Sequence, residues 1–112
     1  MDSVDLRALV EFAEGDVVRK PVVETERLWA QLLCVDRNGE YGPASDLGSD
    51  ALLTVVAGEA VCFVDRGRSR LKQWGTALVP AGSEVVIRNA SIEPLVVLMV
   101  TAPPPATSGS GS

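Results

Sequence analysis

Two cysteines, one tyrosine and scattered carboxylates are what this chain offers to chemistry near neutral pH, because it contains no histidine. A general acid or base would have to come from Glu, Asp, Lys, Tyr or Cys. Cys34 and Cys62 sit in the apolar runs LLCV and AVCF. A reduced cysteine in that setting behaves as a small hydrophobe, and two thiols are too sparse for a zinc site. Glu40, Asp46, Asp50 and Glu84 read as solvated loop carboxylates, too dispersed for the roughly six oxygens that calcium requires. Neither catalysis nor metal binding is announced by residue type.

The elements that would position these groups are mostly strands. Ser3 to Glu14 has Leu6, Leu9, Val10 and Ala13 at helical spacing, with Asp2 or Ser3 as a cap and Gly15 as a stop, which predicts a short N-terminal α-helix over 1–15. Then follow VVRKPVVE and ERLWAQLLCV, a long turn-rich run NGEYGPASDLGSD, and ALLTVVA, AVCFVD, SRLKQW, TALVP, EVVIRN and PLVVLMVTA. Seven or eight short strands at close intervals predict an all-β sandwich or small barrel over 16–105. The end, 106–112, has no core residues and reads as a disordered tail, with SGSGS either native or vector-derived.

Composition narrows the function classes. At 112 residues and 46% hydrophobic content the chain can bury a single core without metal or disulfides. Its net charge of −5 and the single basic stripe Arg66, Arg68, Arg70 and Lys72 exclude a nucleic-acid partner, which needs several phosphate-neutralising contacts. The stripe suits a solvated edge strand instead. No apolar run approaches the roughly 20 residues of a membrane span, so no membrane partner is expected. The acidic start MDSVDLRALVEF lacks the basic character of a signal peptide, which makes the cytoplasm the expected location.

Two spaced residue sets carry a more specific signal: Gly39, Ser45, Leu47, Ala51 and Gly58 in the first, Pro80, Gly82, Val85 and Asn89 in the second. Together they resemble the two signature motifs of the cupin family, small single-domain proteins of the cupin 2 type. Trp74 stands where the second motif usually opens with glycine. The resemblance spans Glu24 to Pro105 and implies a jelly-roll β-barrel, with a metal held by three histidines and a glutamate. Here those ligand positions read Ser45, Leu47, Ala51 and Val85. Aliphatic side chains have no lone pair for a metal, so the expectation is a metal-free protein with no cofactor and no catalytic residue.

Taking those positions as inward, strand alternation sorts the rest. Ala51 brings Leu53 and Val55, Val85 brings Ile87, and both turn Asp50 and Glu84 outward. Leu28, Ala30, Leu32 and Cys34 form a wholly apolar face on the early strand; Leu95, Val97 and Met99 do so on the last. The predicted lumen is aliphatic, with Tyr41, Trp74 and Arg88 near its mouth. The expected function is small-molecule binding, or an assembly module. A metal-independent isomerase or cyclase acting on an apolar molecule is the alternative, with Tyr41 or a rim carboxylate as its acid–base group. A lumen closed by Leu47, Leu53, Ile87 and Met99 would favour assembly, and an open one a ligand. Leu52, Thr54, Val56, Val96, Leu98 and Val100 leave the outer wall apolar as well, which predicts a homodimer.

Overall fold

The computed structural model describes residues 3–105, so the tail reading lies outside the described residues. Nine strands account for most of the chain: β1 Val17–Glu24, β2 Trp29–Val35, β3 Glu40–Ser45, β4 Asp50–Ala57, β5 Ala60–Val64, β6 Gly67–Leu71, β7 Thr76–Val79, β8 Glu84–Asn89 and β9 Leu95–Ala102. A five-stranded sheet in the order β1-β2-β9-β4-β7 faces a four-stranded sheet in the order β3-β8-β5-β6. The chain repeatedly crosses between sheets, and the last strand closes between β2 and β4. That winding is a jelly roll.

The sheets share a core of Leu33, Val35, Leu53, Val55, Ile87, Leu95 and Val97, none more than 1% exposed. Alternation places Ala51, Leu53 and Val55, Val85 and Ile87, and Leu95, Val97 and Met99 on the inner faces, as the sequence predicts. The motif glycines and asparagine hold turns. Gly58 has φ +83°, and a Cβ there would run into the Pro94 carbonyl oxygen. Asn89 Nδ2 donates to the carbonyls of Val35 (3.2 Å) and Glu93 (2.8 Å), while its Oδ1 accepts the Ser91 N–H (2.9 Å). This buried amide ties the β8–β9 turn to β2.

Three expectations need correction. The N-terminal α-helix is only a 3-10 turn, Leu6–Leu9, whose start is capped by the Asp5 carboxylate on the Arg7 N–H at 3.0 Å. An isolated helix of this length is marginal in water, and packing decides its form. Leu6, Leu9 and Phe12 are the residues that pack, a spacing of three that suits a 3-10 turn followed by extended chain, and Val10 is left exposed. The run read as turns, NGEYGPASDLGSD, contains β3. Gly42 and Pro43 disguise it, yet proline is tolerated because β3 is an edge strand with a register shift between Tyr41 and Ala44.

The third correction concerns β2. Leu33 and Val35 join the core between the sheets, whereas Leu32 and Cys34 pack outward with Val96 beneath Leu6, Leu9 and Phe12. Leu28 and Ala30 share that outer parity, and Leu28 is partly exposed. Both faces of β2 are covered, so both are apolar, and apolarity alone could not choose between them. The inner face belongs to Trp29, Gln31, Leu33 and Val35.

Part of the outer wall stays open. Ala30, Val100, Leu52 and Leu78 form one row across β2, β9, β4 and β7. Leu52 is 45% and Leu78 58% exposed. No helix among the described residues is long and apolar enough to cross a membrane.

Candidate functional site

The core does not fill the space between the sheets. Leu53, Val55, Ile87, Leu95 and Val97 are packed solid, but at the end where β4 begins and β9 finishes a pocket of about 570 Å³ opens. Its walls include Ala51, Val79, Val85 and Met99, with Trp29, Tyr41, Arg19, Ser45, Ser49, Ser83 and Thr101 around them. The lumen therefore has a filled floor and a mixed mouth, not the uniform aliphatic lining expected. This volume lies in the range of small-molecule sites.

Two neighbouring strands supply the polar part. Arg19 on β1 and Gln31 on β2 share the inner parity, two residues apart in register, and the Arg19 Nε–H donates to Gln31 Oε1 at 3.1 Å. Gln31 is only 3% exposed, and its Nε2 donates to Met99 Sδ at 3.4 Å. From the opposite sheet Tyr41 faces the arginine, the guanidinium carbon lying 5.9 Å from its ring centroid. Ser49 Oγ donates to the Pro103 carbonyl at 2.6 Å, fixing the last strand's exit beside the mouth. Asp46 Oδ1 accepts the Gly48 N–H at 2.9 Å, so that carboxylate caps its own loop.

Of the predicted mouth residues only Tyr41 is in the lining. Trp74 sits in the β6–β7 turn, its N–H bonded to the Val55 carbonyl at 2.7 Å, and is 72% exposed at the other end of β4. Arg88 points from the outer face of the four-stranded sheet, where Nη2 meets Glu40 Oε1 at 2.9 Å and the guanidinium lies over Phe63. Alternation from Val85 already turned Arg88 outward; the expectation of a rim position overlooked its own parity.

This architecture matches solved structures closely. No protein-family model matches the chain, and no curated protein matches its sequence. TT1209 from Thermus thermophilus superposes with a TM-score of 0.87 at 29% identity, over 92% of this chain and 98% of that one. A cupin 2 conserved barrel domain protein from Leptotrichia buccalis gives 0.77 at 27% identity, covering 88% of this chain and 47% of that one. A conserved protein with a double-stranded β-helix domain from Klebsiella pneumoniae gives 0.85 at 22% identity, covering 92% and 90%. The fold is that of the cupins.

A cupin fold implies a metal inside the barrel, and the residues here do not fit one. Ser45, Ala51 and Val85 do line the pocket together. The fourth position, Leu47, is 89% exposed in the β3–β4 loop and outside the lumen. Among the described residues no group of three or more His, Cys, Asp or Glu gathers anywhere. The cysteines of this cupin-like chain are likewise placed as packing residues. Both are free and buried, in different clusters, and burial pushes the Cys62 thiol up to about 11, far from a thiolate at neutral pH.

Sequence reasoning missed Arg19, Trp29, Gln31, Ser49 and Thr101. For Gln31 a signal existed. A glutamine in an otherwise apolar strand marks the face where a polar partner can be reached, because a buried amide without one is costly.

Proposed function

We propose that this cupin-fold protein is a metal-independent, non-catalytic binding module that takes a small molecule into the mouth pocket and works as a homodimer. The observation that carries the reading is the lining itself. Where a metal would sit, Ala51, Val85 and Met99 offer apolar contact, and a rim of hydroxyls, an amide and an arginine offers orientation. Such a mixture suits recognition. The alternative, an isomerase or cyclase, needs a base aimed at a reacting atom. The carboxylate of the lining, Asp46, is turned to backbone instead. The free, buried cysteines support a reducing, cytoplasmic setting. The binding claim is tested by a fragment screen read at Trp29 on chelator-treated protein: fragments should perturb the pocket residue and leave the distant Trp74 unchanged.

The dimer reading rests on the exposed end of the outer row, Leu52 and Leu78, with Leu28 exposed nearby; in the same row Val100 is half-buried and Ala30 buried. Leu6, Leu9 and Phe12 pack with Leu32, Cys34, Val96 and Leu98 in the neighbouring rows, and Leu52 and Leu78 lie outside that cluster. An apolar strip left on a sheet wall invites a two-fold partner, the commonest symmetry. Light scattering across a dilution series should give two chains at micromolar concentration. The double variant Leu52→Glu, Leu78→Glu should give one, with dissociation at least about a hundredfold easier, since two like charges would face themselves across the axis. A wild-type mass of one chain throughout would rule the dimer out.

A further inference from the structure

The pocket holds a cation that none of the described residues neutralises. Among them Arg19 makes no ion pair; the four that form are Arg7–Asp5, Lys20–Glu11, Arg70–Glu59 and Arg88–Glu40. Arg27, Arg37, Arg66, Arg68 and Lys72 are likewise outside these pairs; what sets Arg19 apart is its place in the pocket lining and its bond to the buried Gln31. In a chain of net charge −5, carboxylates are plentiful, yet no described one stands within ion-pair distance of this guanidinium.

The arginine is also held in place. Gln31, nine-tenths buried and more, accepts only the Nε–H. That bond engages the Nε–H and leaves the two terminal amino groups for another acceptor. The guanidinium carbon lies 5.9 Å from the Tyr41 ring centroid, a cation–π distance. A buried glutamine braced between Met99 Sδ and an arginine is an expensive way to support a purely solvated side chain. It is an effective way to aim one, because two parallel N–H groups match the two oxygens of a carboxylate.

We propose that the ligand of this pocket is a small organic carboxylate with a planar apolar body. Arg19 receives the carboxylate in a bidentate pair. Trp29, Tyr41 and Met99 hold the body, and Ala51 and Val85, at the positions where the cupin motifs carry metal ligands, shape the inner end. The small side chains at those two positions leave the room that a metal and its ligands would fill. The inference rests on the binding reading above and names the chemical class it takes.

The test is titration calorimetry of the intact protein with phenylacetate and with its neutral isostere phenylacetamide, on wild type, Arg19→Gln and Arg19→Lys. The arginine lies on an edge strand and is exposed, so both variants should fold, which their melting curves check. The acid should bind at least about tenfold tighter than the amide to wild type. Arg19→Gln should abolish that preference while leaving amide binding within about twofold, and Arg19→Lys should retain part of it without the bidentate geometry. Equal affinity of acid and amide, or a preference that survives Arg19→Gln, overturns the carboxylate proposal and leaves the binding module standing. Neutral fragments seated at Trp29 with no heat from any acid would do the same. If neither acids nor neutral fragments enter the pocket, both readings fall.

Discussion

Replacing Leu53 by aspartate leaves the protein unfolded or nearly so at room temperature. Leu53 is fully buried on β4, paired with Met99 of β9 and Ala77 of β7, and its side chain lies in the core between the sheets. The change removes a buried leucine, about 2–3 kcal/mol, and places a carboxylate where the cluster is wholly apolar. An unpaired polar group there adds several kcal/mol. The sum, on the order of 5 kcal/mol or more, approaches the whole stability of a small domain. The neighbour supplies the control. Leu52, 45% exposed on the other face, should cost under about 1 kcal/mol as aspartate in the monomer. Urea unfolding of both variants checks the parity of β4. A Leu53→Asp protein as stable as wild type would invert the face assignment.

Asn89→Ala should lower stability by about 2–3 kcal/mol, equivalent to a melting point lower by roughly 10–20 °C for a domain of this size. The motif asparagine joins the Val35 and Glu93 carbonyls and the Ser91 N–H through one buried amide, so alanine strips a partner from three backbone groups at once. Asn89→Asp should be at least as damaging. It keeps the acceptor for Ser91 but directs a negative charge at two carbonyl oxygens, 8% exposed to solvent. Thermal melts of the pair separate this account from one in which the residue serves the pocket, since Asn89 does not line it. A melting point unchanged in both would contradict the structural role.

How much of this was legible depended on what lay on the far side of each strand. β8 alternates in plain view, because Glu84 and Arg88 are exposed while Val85 and Ile87 are buried. β4 could be oriented only from its motif position Ala51, and β9, which carries no motif position, is apolar on both faces. β2 has both faces covered, one by the opposite sheet and one by Leu6, Leu9 and Phe12, so its apolar count pointed the wrong way. A one-residue change of parity then moved the whole strand. The same misreading hid the site. With Gln31 turned outward on paper, nothing singled out Arg19 from Lys20, two adjacent cations on an edge strand that look equally solvated. The frame of the fold was written in Gly58, Gly82 and Asn89, which hold turns by backbone conformation and hydrogen bonding. The site was written in side chains that matter only through their neighbours.

On this account the mouth pocket binds its ligand without a metal, and the protein carries its own reporter for that event. Trp74→Phe removes the exposed tryptophan at the far end and leaves Trp29, in the pocket lining, as the sole fluorophore of its kind. The measurement is a fluorescence titration of that variant with a pocket-binding fragment, once after exhaustive chelation and once with zinc, nickel or manganese added. The account predicts a saturable change at Trp29 with the same affinity, within about twofold, under all conditions, because among the described residues no group of three or more His, Cys, Asp or Glu gathers to hold a metal. Binding that disappears on chelation and returns with metal would contradict it.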